Sequence, residues 1–149
     1  MIFRNIITLP YKALEDREVW NILERYDYNP LSASHLAQNL CRLESLAFFT
    51  SEIEALLMEK GIPFNRDTEE TFEAPESHLL FRPGETPDLF EYEGNTASVP
   101  ADVLWAMAEN PDIDIRRELR TFLDEYAPRL ESLEKAAEKW DKRQTGRTG

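Results

Sequence analysis

The stretch "HLLFRPGETPDLFEYE", residues 78–93, decides the fold class of this chain of 149 residues. Its two flanking segments are short and rich in aromatic or branched residues, and "RPGETPD" between them carries a Pro-Gly turn signal. "ETFEA", residues 70–74, is a third segment of the same kind. We therefore expect residues 62–95 to form a small antiparallel meander of short strands.

The last strand of this meander has a clear alternation. In "LFEYE" a period of two places Leu89, Glu91 and Glu93 on one face, and Phe90 with Tyr92 on the other. We expect the aromatic side chains to pack inward and the carboxylates to face solvent.

The N-terminal part predicts one strand and one helix. "IFRNIITL" is rich in β-branched residues and ends at Pro10, which is typical of a strand at an edge or start of a sheet. Residues 13–26 follow with apolar side chains at helical spacing. A strand followed by a helix is therefore expected here.

Two more helices are expected before the meander. Ser32 or Ser34 can cap the first, and "SEIE" at residues 51–54 has capping-box spacing for the second, which would end at Gly61. Thr50 and Ser51 could instead form only a bend. The buried stripe of the first helix would consist of Leu36, Leu40, Leu43 and Ala47.

From Pro100 onward the apolar spacing predicts three helices, with Pro128 either breaking or kinking the run. The last residues, 141–149, are polar and have no period, so a flexible tail is expected. The complete prediction is an α+β fold, mostly helical, with a small antiparallel sheet and a helical C-terminal half. Residues 1–140 should form a single globular domain.

"NTASVPADVLWAMAENPDIDIRRELR", Asn95 to Arg120, resembles one unit of the leucine-rich repeat variant and HEAT-like helical repeats. Such units have a proline-led first helix, an Asn/Asp-Pro-Asp turn and an Ile/Val-Arg pair opening the second helix. The resemblance implies a tight helical hairpin of a kind used as a protein-interaction scaffold. The matching positions are Pro100, Val103, Leu104, Met107, Ala108, Pro111, Asp112, Ile115, Arg116 and Leu119.

The charges in this hairpin have a structural explanation. Asn110 can cap the second helix with Pro111 at its first position, and Asp112 in the first turn complements the helix dipole. Asp112 and Asp114 would point about 200° apart around a helix, so they cannot form a catalytic dyad. Asp114 can pair with Arg117 instead.

The net charge of −12 is concentrated in the middle of the chain. Residues 43–114 hold 17 acidic and three basic side chains. The densest part contains nine carboxylates and only two cations, Arg66 and Arg82. The nine carboxylates are Asp67, Glu69, Glu70, Glu73, Glu76, Glu85, Asp88, Glu91 and Glu93.

Such a concentration favours docking on something cationic and disfavours direct binding of DNA or RNA, whose phosphates it would repel. The alternative is that the charge only keeps a small protein soluble. Under the first interpretation the nine carboxylates bind a partner. Under the second they have no partner.

A carboxylate-dependent hydrolase is the alternative from another class. Glu91 and Glu93 would lie about 6.5–7 Å apart along one strand face, near the carboxyl spacing of inverting glycosidases. Such an enzyme also needs a cleft and one buried carboxyl group with a raised pKa. The solvent face of a meander is expected to offer neither.

Other sites of chemistry are not expected. Spacing separates His35 from Cys41 on a helix, and His78 with Glu73 and Glu76 is weak evidence for a metal site. The glycines build no phosphate-binding loop, so neither cofactor nor metal is predicted. Cys41 is expected to be a small buried hydrophobic residue.

The sequence therefore predicts a non-catalytic acidic interaction module that docks on a basic protein surface. One form is an inhibitor that mimics nucleic acid and binds a nucleic-acid-binding protein, such as a nuclease or a phage-defence complex of the CRISPR type. Another form is an immunity protein or a secretion chaperone. The lone cysteine and the absence of a long apolar run predict a cytoplasmic protein without membrane contact. Oligomeric state stays open.

Overall fold

A computed structural model describes residues 4–32, 36–46, 51–71, 75–93, 100–126 and 130–148. Within these ranges six antiparallel strands form one sheet in the order β2-β3-β1-β4-β5-β6. The strands are β1 (Asn5–Pro10), β2 (Asn29–Leu31), β3 (Leu40–Ser45), β4 (Phe64–Thr68), β5 (Ser77–Phe81) and β6 (Leu89–Glu93). The α-helices are α1 (Arg17–Arg25), α2 (Ser51–Glu59), α3 (Ala101–Glu109), α4 (Ile115–Tyr126) and α5 (Leu133–Thr148).

The α+β class is confirmed, but "mostly helical" overstates the helical share, because the sheet has six strands where the sequence predicts four. The chain divides into two compact units, residues 1–94 with 131–149 and residues 95–130. A single folding domain over residues 1–140 stays a prediction. None of the helices in the described ranges has the length and apolar character needed to cross a lipid bilayer.

The core of the first unit lies against one face of the sheet. Ile7 of β1 pairs with Leu43 of β3, and Phe64 of β4 pairs with Phe81 of β5. All four side chains are buried, and burying a residue of this size stabilises the fold by about 1.5–3 kcal/mol. Helices α1 and α2 complete the cluster with Val19, Leu23, Ile53 and Leu57.

Local signals explain where these two helices begin and end. The Asp16 side chain accepts hydrogen bonds from the backbone N–H groups of Glu18 and Val19, and so caps α1. A short 3-10 helix, Tyr11–Glu15, precedes it, so the predicted helical start at residue 13 was too early. The predicted helix from residue 51 is confirmed. Gly61 follows it with a φ of 67°, a conformation that suits glycine.

The predicted second helix is wrong. Leu40–Ser45 is the strand β3, which pairs with six residues of β1 and three of β2. "LCRLES" fits two patterns. Its leucines belong to a series with the three- and four-residue spacing of a helix, but its side chains also alternate as in a strand, since Leu43 and Ser45 are buried while Arg42 and Glu44 are partly exposed. Pairing on both sides overrides the helical pattern. Ser34, His35 and Ala47 lie outside the described residues.

Two expectations about strand positions need correction. β1 is an interior strand between β3 and β4, not an edge. The first strand of the meander is "FNRDT", Phe64–Thr68, while Glu70 and Thr71 of the expected "ETFEA" strand follow it without strand structure. Three polar residues disfavour a strand at Asn65–Asp67, but each finds a partner described below. β5 and β6 lie where the sequence predicted them.

The second unit contains the two predicted helices, α3 and α4, joined by a turn at residues 110–114, and we call this segment the hairpin. The packing of the two helices on each other and the family resemblance stay predictions. The predicted cap is displaced. The backbone N–H of Asp112 donates to the Asn110 side chain within the turn, and the N–H of Arg117 donates to Asp114, the residue that precedes α4. Asp114 therefore binds the backbone of Arg117 rather than its guanidinium, because Pro111–Ile113 form a turn before the helix begins.

Helix α5 contacts β1 and packs with a stripe that the sequence predicted. Leu133, Ala137 and Trp140 are buried. The helix continues to Thr148, through residues expected to lack regular structure. Pro128 lies outside the described residues.

A buried arginine joins the sheet to the segment that leads into α5. Arg82 is only 2% exposed, and its guanidinium donates to Phe64 O, Phe81 O and the Asn65 side chain at 3.1, 3.0 and 2.7 Å. Its Nε donates to Glu131 O at 2.7 Å. Burial lowers the pKa of Arg82, yet a guanidinium stays charged at neutral pH. These hydrogen bonds compensate a charge that would otherwise be costly to bury.

We predict that Arg82→Met destabilises the fold by about 3–5 kcal/mol, because the methionine leaves buried acceptors unpaired. Urea unfolding followed by circular dichroism measures this. The control is Arg25→Met, which removes the exposed ion pair with Glu52 and should cost less than about 1 kcal/mol. Similar unfolding midpoints for both variants would contradict the role assigned to Arg82.

Candidate functional site

The antiparallel order of β4, β5 and β6 gathers acidic residues at one end of the sheet. Thr68, the last residue of β4, pairs with Ser77 at the start of β5, and Ser77 pairs with Glu93 at the end of β6. Glu69 and Glu70 follow β4 directly, and Glu76 precedes β5. Four carboxylates therefore meet at this end, which we call the acidic end: Glu69, Glu70, Glu76 and Glu93.

A depression of about 720 Å³ opens at the acidic end. Among the described residues, Glu69, Glu70, Thr71 and Glu76 line it, which gives it three carboxylates and one hydroxyl. Carboxylates are acceptors, and they bind Arg and Lys side chains through charge-assisted hydrogen bonds. The depression is suited to receive a cationic side chain.

A histidine lies between two carboxylates beside this depression. His78 Nδ1 is 2.6 Å from Asp67 Oδ1, and His78 Nε2 is 3.7 Å from Glu76 Oε2. The ring also stacks on Tyr92 with 4.7 Å between centroids. Burial raises the pKa of Tyr92, and the charges of Asp67 and Glu76 raise it further. These groups thus lie in a negative local field.

The structure gives no metal site to His78. Among the residues that it describes, no group of three His, Cys, Asp or Glu side chains could hold a metal ion. Glu73, which the sequence placed near His78, lies outside those residues.

The two cations of the acidic segment face inward. Arg66 Nη1 donates to Glu54 Oε1 at 3.0 Å, and its Nη2 donates to Ser77 Oγ at 3.2 Å. Burial raises the pKa of Glu54, and the Arg66 charge opposes this effect. Arg82 donates its hydrogen bonds to the three backbone oxygens and the Asn65 side chain described above. Neither arginine is left to neutralise the exposed carboxylates.

A cation from another part of the chain lies near the acidic end. Arg4 forms an ion pair with Glu44. Its pKa is raised chiefly by that carboxylate, with a smaller contribution from Glu69. Among the described residues, no lysine or arginine forms an ion pair with Glu70 or Glu76, and the Glu76 carboxylate lies 3.7 Å from His78 Nε2.

The nine predicted carboxylates do not form one continuous patch. Glu85 and Asp88 lie in the turn between β5 and β6, at the opposite end of these strands, about 13 Å away along β5. Asp67 pairs with His78 on β5, whereas Glu91 pairs with Leu79 and so lies on the core side of the sheet. The acidic end is therefore a subset of the predicted surface.

The alternation of exposure predicted for β6 is confirmed, but the expected inward packing is wrong, because Phe90 and Tyr92 pair with Leu80 and His78 on the face opposite to the buried Leu79 and Phe81. Leu89, Glu91 and Glu93 are exposed, and Phe90 with Tyr92 is partly buried. Neither glutamate is the buried carboxyl group that the hydrolase alternative requires.

Sequence reasoning missed the Asp67–His78 pair and Thr71. The cross-strand pair depends on the register of β4 with β5, and the sequence predicts β4 at "ETFEA", six residues later than its observed position. The available signal was the period-two pattern of "FNRDT", which places Phe64, Arg66 and Thr68 on one face of a strand.

The chain matches no protein-family model, no curated protein and no solved structure.

Cys41 on β3 is partly buried, and burial raises the pKa of its thiol to about 11 from 9.0. At neutral pH this lowers the thiolate fraction about 100-fold, while the higher basicity raises its nucleophilicity by less than about tenfold. We predict that the native thiol reacts with a disulfide reagent at least about tenfold more slowly than the urea-unfolded chain.

The pH dependence gives a second readout of the same thiol. The rate of the native protein should keep rising up to a pH of about 11, whereas that of the unfolded chain should level off near 9. Equal rates and coincident pH profiles would show that Cys41 is a normal exposed thiol.

Proposed function

We propose that the protein is a non-catalytic interaction module that docks its acidic end on a basic surface of another protein in the cytoplasm. One observation carries the proposal. Both arginines of the acidic segment, Arg66 and Arg82, point inward to bind groups of the fold. The exposed carboxylates Glu69 and Glu70 are therefore not paired with either of these arginines.

This arrangement has an energetic consequence. Clustered like charges repel one another and lower the stability of the compact state, and Arg66 and Arg82 do not relieve this repulsion because they bind groups inside the fold. A cationic partner would relieve it. Long-range attraction would also accelerate encounter, and salt would weaken this effect because screening acts within about 8–10 Å.

The shape of the acidic end fits a specific kind of contact. The depression is lined by carboxylates from both sides of the connection between β4 and β5, so one entering guanidinium can donate hydrogen bonds to more than one of them. A partner with an exposed arginine or lysine cluster is the expected ligand.

A finer form of the proposal is mimicry of nucleic acid. The partner would then be a nucleic-acid-binding protein, such as a nuclease or a phage-defence complex, and carboxylates would occupy positions of phosphates in its groove. An immunity protein or a secretion chaperone would use the same charge without competing with nucleic acid.

We predict that the triple variant Glu69→Gln/Glu70→Gln/Glu76→Gln binds an octa-arginine peptide about tenfold more weakly than the wild type, because the charges of two exposed carboxylates and one partly buried carboxylate are lost. Isothermal titration calorimetry at low and at physiological salt measures this. Wild-type affinity should fall as salt rises.

The matched control removes the same number of charges elsewhere: Glu59→Gln/Glu85→Gln/Asp88→Asn. Its affinity for the peptide should stay within about threefold of the wild type. Equal weakening by both triple variants would show a net-charge effect without a site. Wild-type binding that is insensitive to salt would contradict electrostatic docking.

Competition separates mimicry from the other forms. Proteins captured from a host lysate by the wild type but not by the triple variant should be released by added duplex DNA or RNA. A partner that binds nucleic acid and this protein at the same time would contradict mimicry and favour the immunity-protein or chaperone form.

A further inference from the structure

The hairpin of α3 and α4 exposes most of its large apolar side chains. No residue of α3 is buried. Six side chains of the hairpin are between 43% and 68% exposed: Val103, Leu104, Trp105, Ile115, Leu119 and Leu123. In the rest of the described chain, four large hydrophobic side chains reach a comparable exposure: Tyr11, Trp20, Leu46 and Leu89.

This exposure is unusual for helices of this composition. On α3, Val103 and Trp105 project about 200° apart, so apolar side chains surround most of the helix. Helices that are apolar on nearly all sides are normally buried. Two helices of nine and twelve residues cannot bury both their own faces, so the hairpin needs a further layer of structure.

The hairpin also carries two charged edges of opposite sign. Asp102 and Glu109 lie seven residues apart and share one side of α3. Arg116 and Arg120 share one side of α4, and their side chains form no ion pair within the described residues. Arg116 also lies in the first turn of α4, where a positive charge opposes the helix dipole. Helix stability therefore does not explain its position.

We propose that a second copy of this chain covers the hairpin, in a twofold-symmetric dimer in which two α3 and two α4 helices pack as a four-helix layer. A twofold interface uses the same surface on both copies and must be complementary to itself. The hairpin meets this requirement, since the acidic edge of α3 on one copy can face the basic edge of α4 on the other. Apolar side chains between the edges would form the buried centre.

The exposed apolar surface of the two helices is large enough to supply the apolar part of a dimer interface. With about half of each of the six side chains exposed, they present roughly 500–600 Å², of which one interface covers only a part because Val103 and Trp105 project apart. A standard interface buries about 800 Å² per partner, of which about 65%, or roughly 500 Å², is apolar in homodimers.

This inference does not depend on the proposed function, because the hairpin and the acidic end share no residue. The two proposals are nevertheless compatible. A dimer would present two acidic ends, and a partner with two basic patches would bind it with a gain in avidity.

Sedimentation equilibrium of the full chain tests the proposal. We expect a wild-type mass of twice 17.4 kDa at micromolar concentration. Leu104→Glu/Leu119→Glu should weaken the dimer by roughly 100-fold or more, because a twofold interface loses both side chains from each copy. The control Leu46→Glu replaces a leucine that is equally exposed but lies outside the hairpin, and it should stay dimeric.

Charge reversal tests the arrangement of the edges. Arg116→Glu/Arg120→Glu should weaken the dimer, and adding Asp102→Arg/Glu109→Arg should restore it. Because all these positions are exposed, circular dichroism should show an unchanged fold for each variant. A monomeric wild type at about 100 µM would overturn the dimer. Dissociation by Leu46→Glu alone, or lack of rescue by the second charge reversal, would overturn the assigned interface.

Discussion

The guanidinium of Arg82 is the constraint on which the account of both fold and surface depends. It is a buried cation with hydrogen-bond acceptors on β4, on β5 and on the residue that precedes α5 by two positions. A buried charge is tolerated only when such acceptors surround it. Arg82 therefore holds together segments that are distant in the chain. Because its charge is used inside the fold, it is also unavailable to the carboxylates outside.

Arg66 is the second cation of the acidic segment that binds groups inside the fold. Its partners Glu54 and Ser77 connect α2 to the start of β5. The interior thus contains both cations of the acidic segment and one carboxylate from another helix. Glu69 and Glu70 remain at the surface, and Glu76 lines the depression next to them. Arg66 and Arg82 thus stabilise the sheet by binding groups inside it. For the same reason they do not compensate the negative charge at its end.

Sequence patterns predicted an element correctly where they were compatible with a single type of secondary structure. They failed where helical and strand patterns overlapped. β5, β6 and the helix at Ser51–Glu59 were recognised because alternation or capping agreed with their flanking turns. "LCRLES" carried both helical and strand spacing, and only pairing with β1 and β2 selects the strand. "FNRDT" was missed because Asn65, Arg66 and Asp67 are unusual in a strand. Their partners Arg82, Glu54 and His78 come from other parts of the fold, and no local pattern reveals them.

The candidate site was predicted in composition but not in arrangement. Counting charges located the acidic segment, and its carboxylates are largely exposed. Strand order then separates Glu85 and Asp88 from the acidic end, which counting could not show. The inward direction of the two arginines depends on register and burial, and both require the assembled sheet. The sequence likewise does not predict that the apolar side chains of the hairpin are exposed, because their spacing is that of a buried helix face.

Solvent exchange of arginine side-chain protons in the ¹⁵N-labelled full chain tests the central claim most directly. The Nε–H of Arg82 donates to Glu131 O inside the fold, so its exchange near neutral pH should be strongly slowed. Arg25, whose side chain is 60% exposed, provides the reference and should exchange fast. Slow exchange at Arg82 alone of the two is the result expected. Equally fast exchange at both would show a solvated guanidinium, free to neutralise the acidic surface, and would contradict the account.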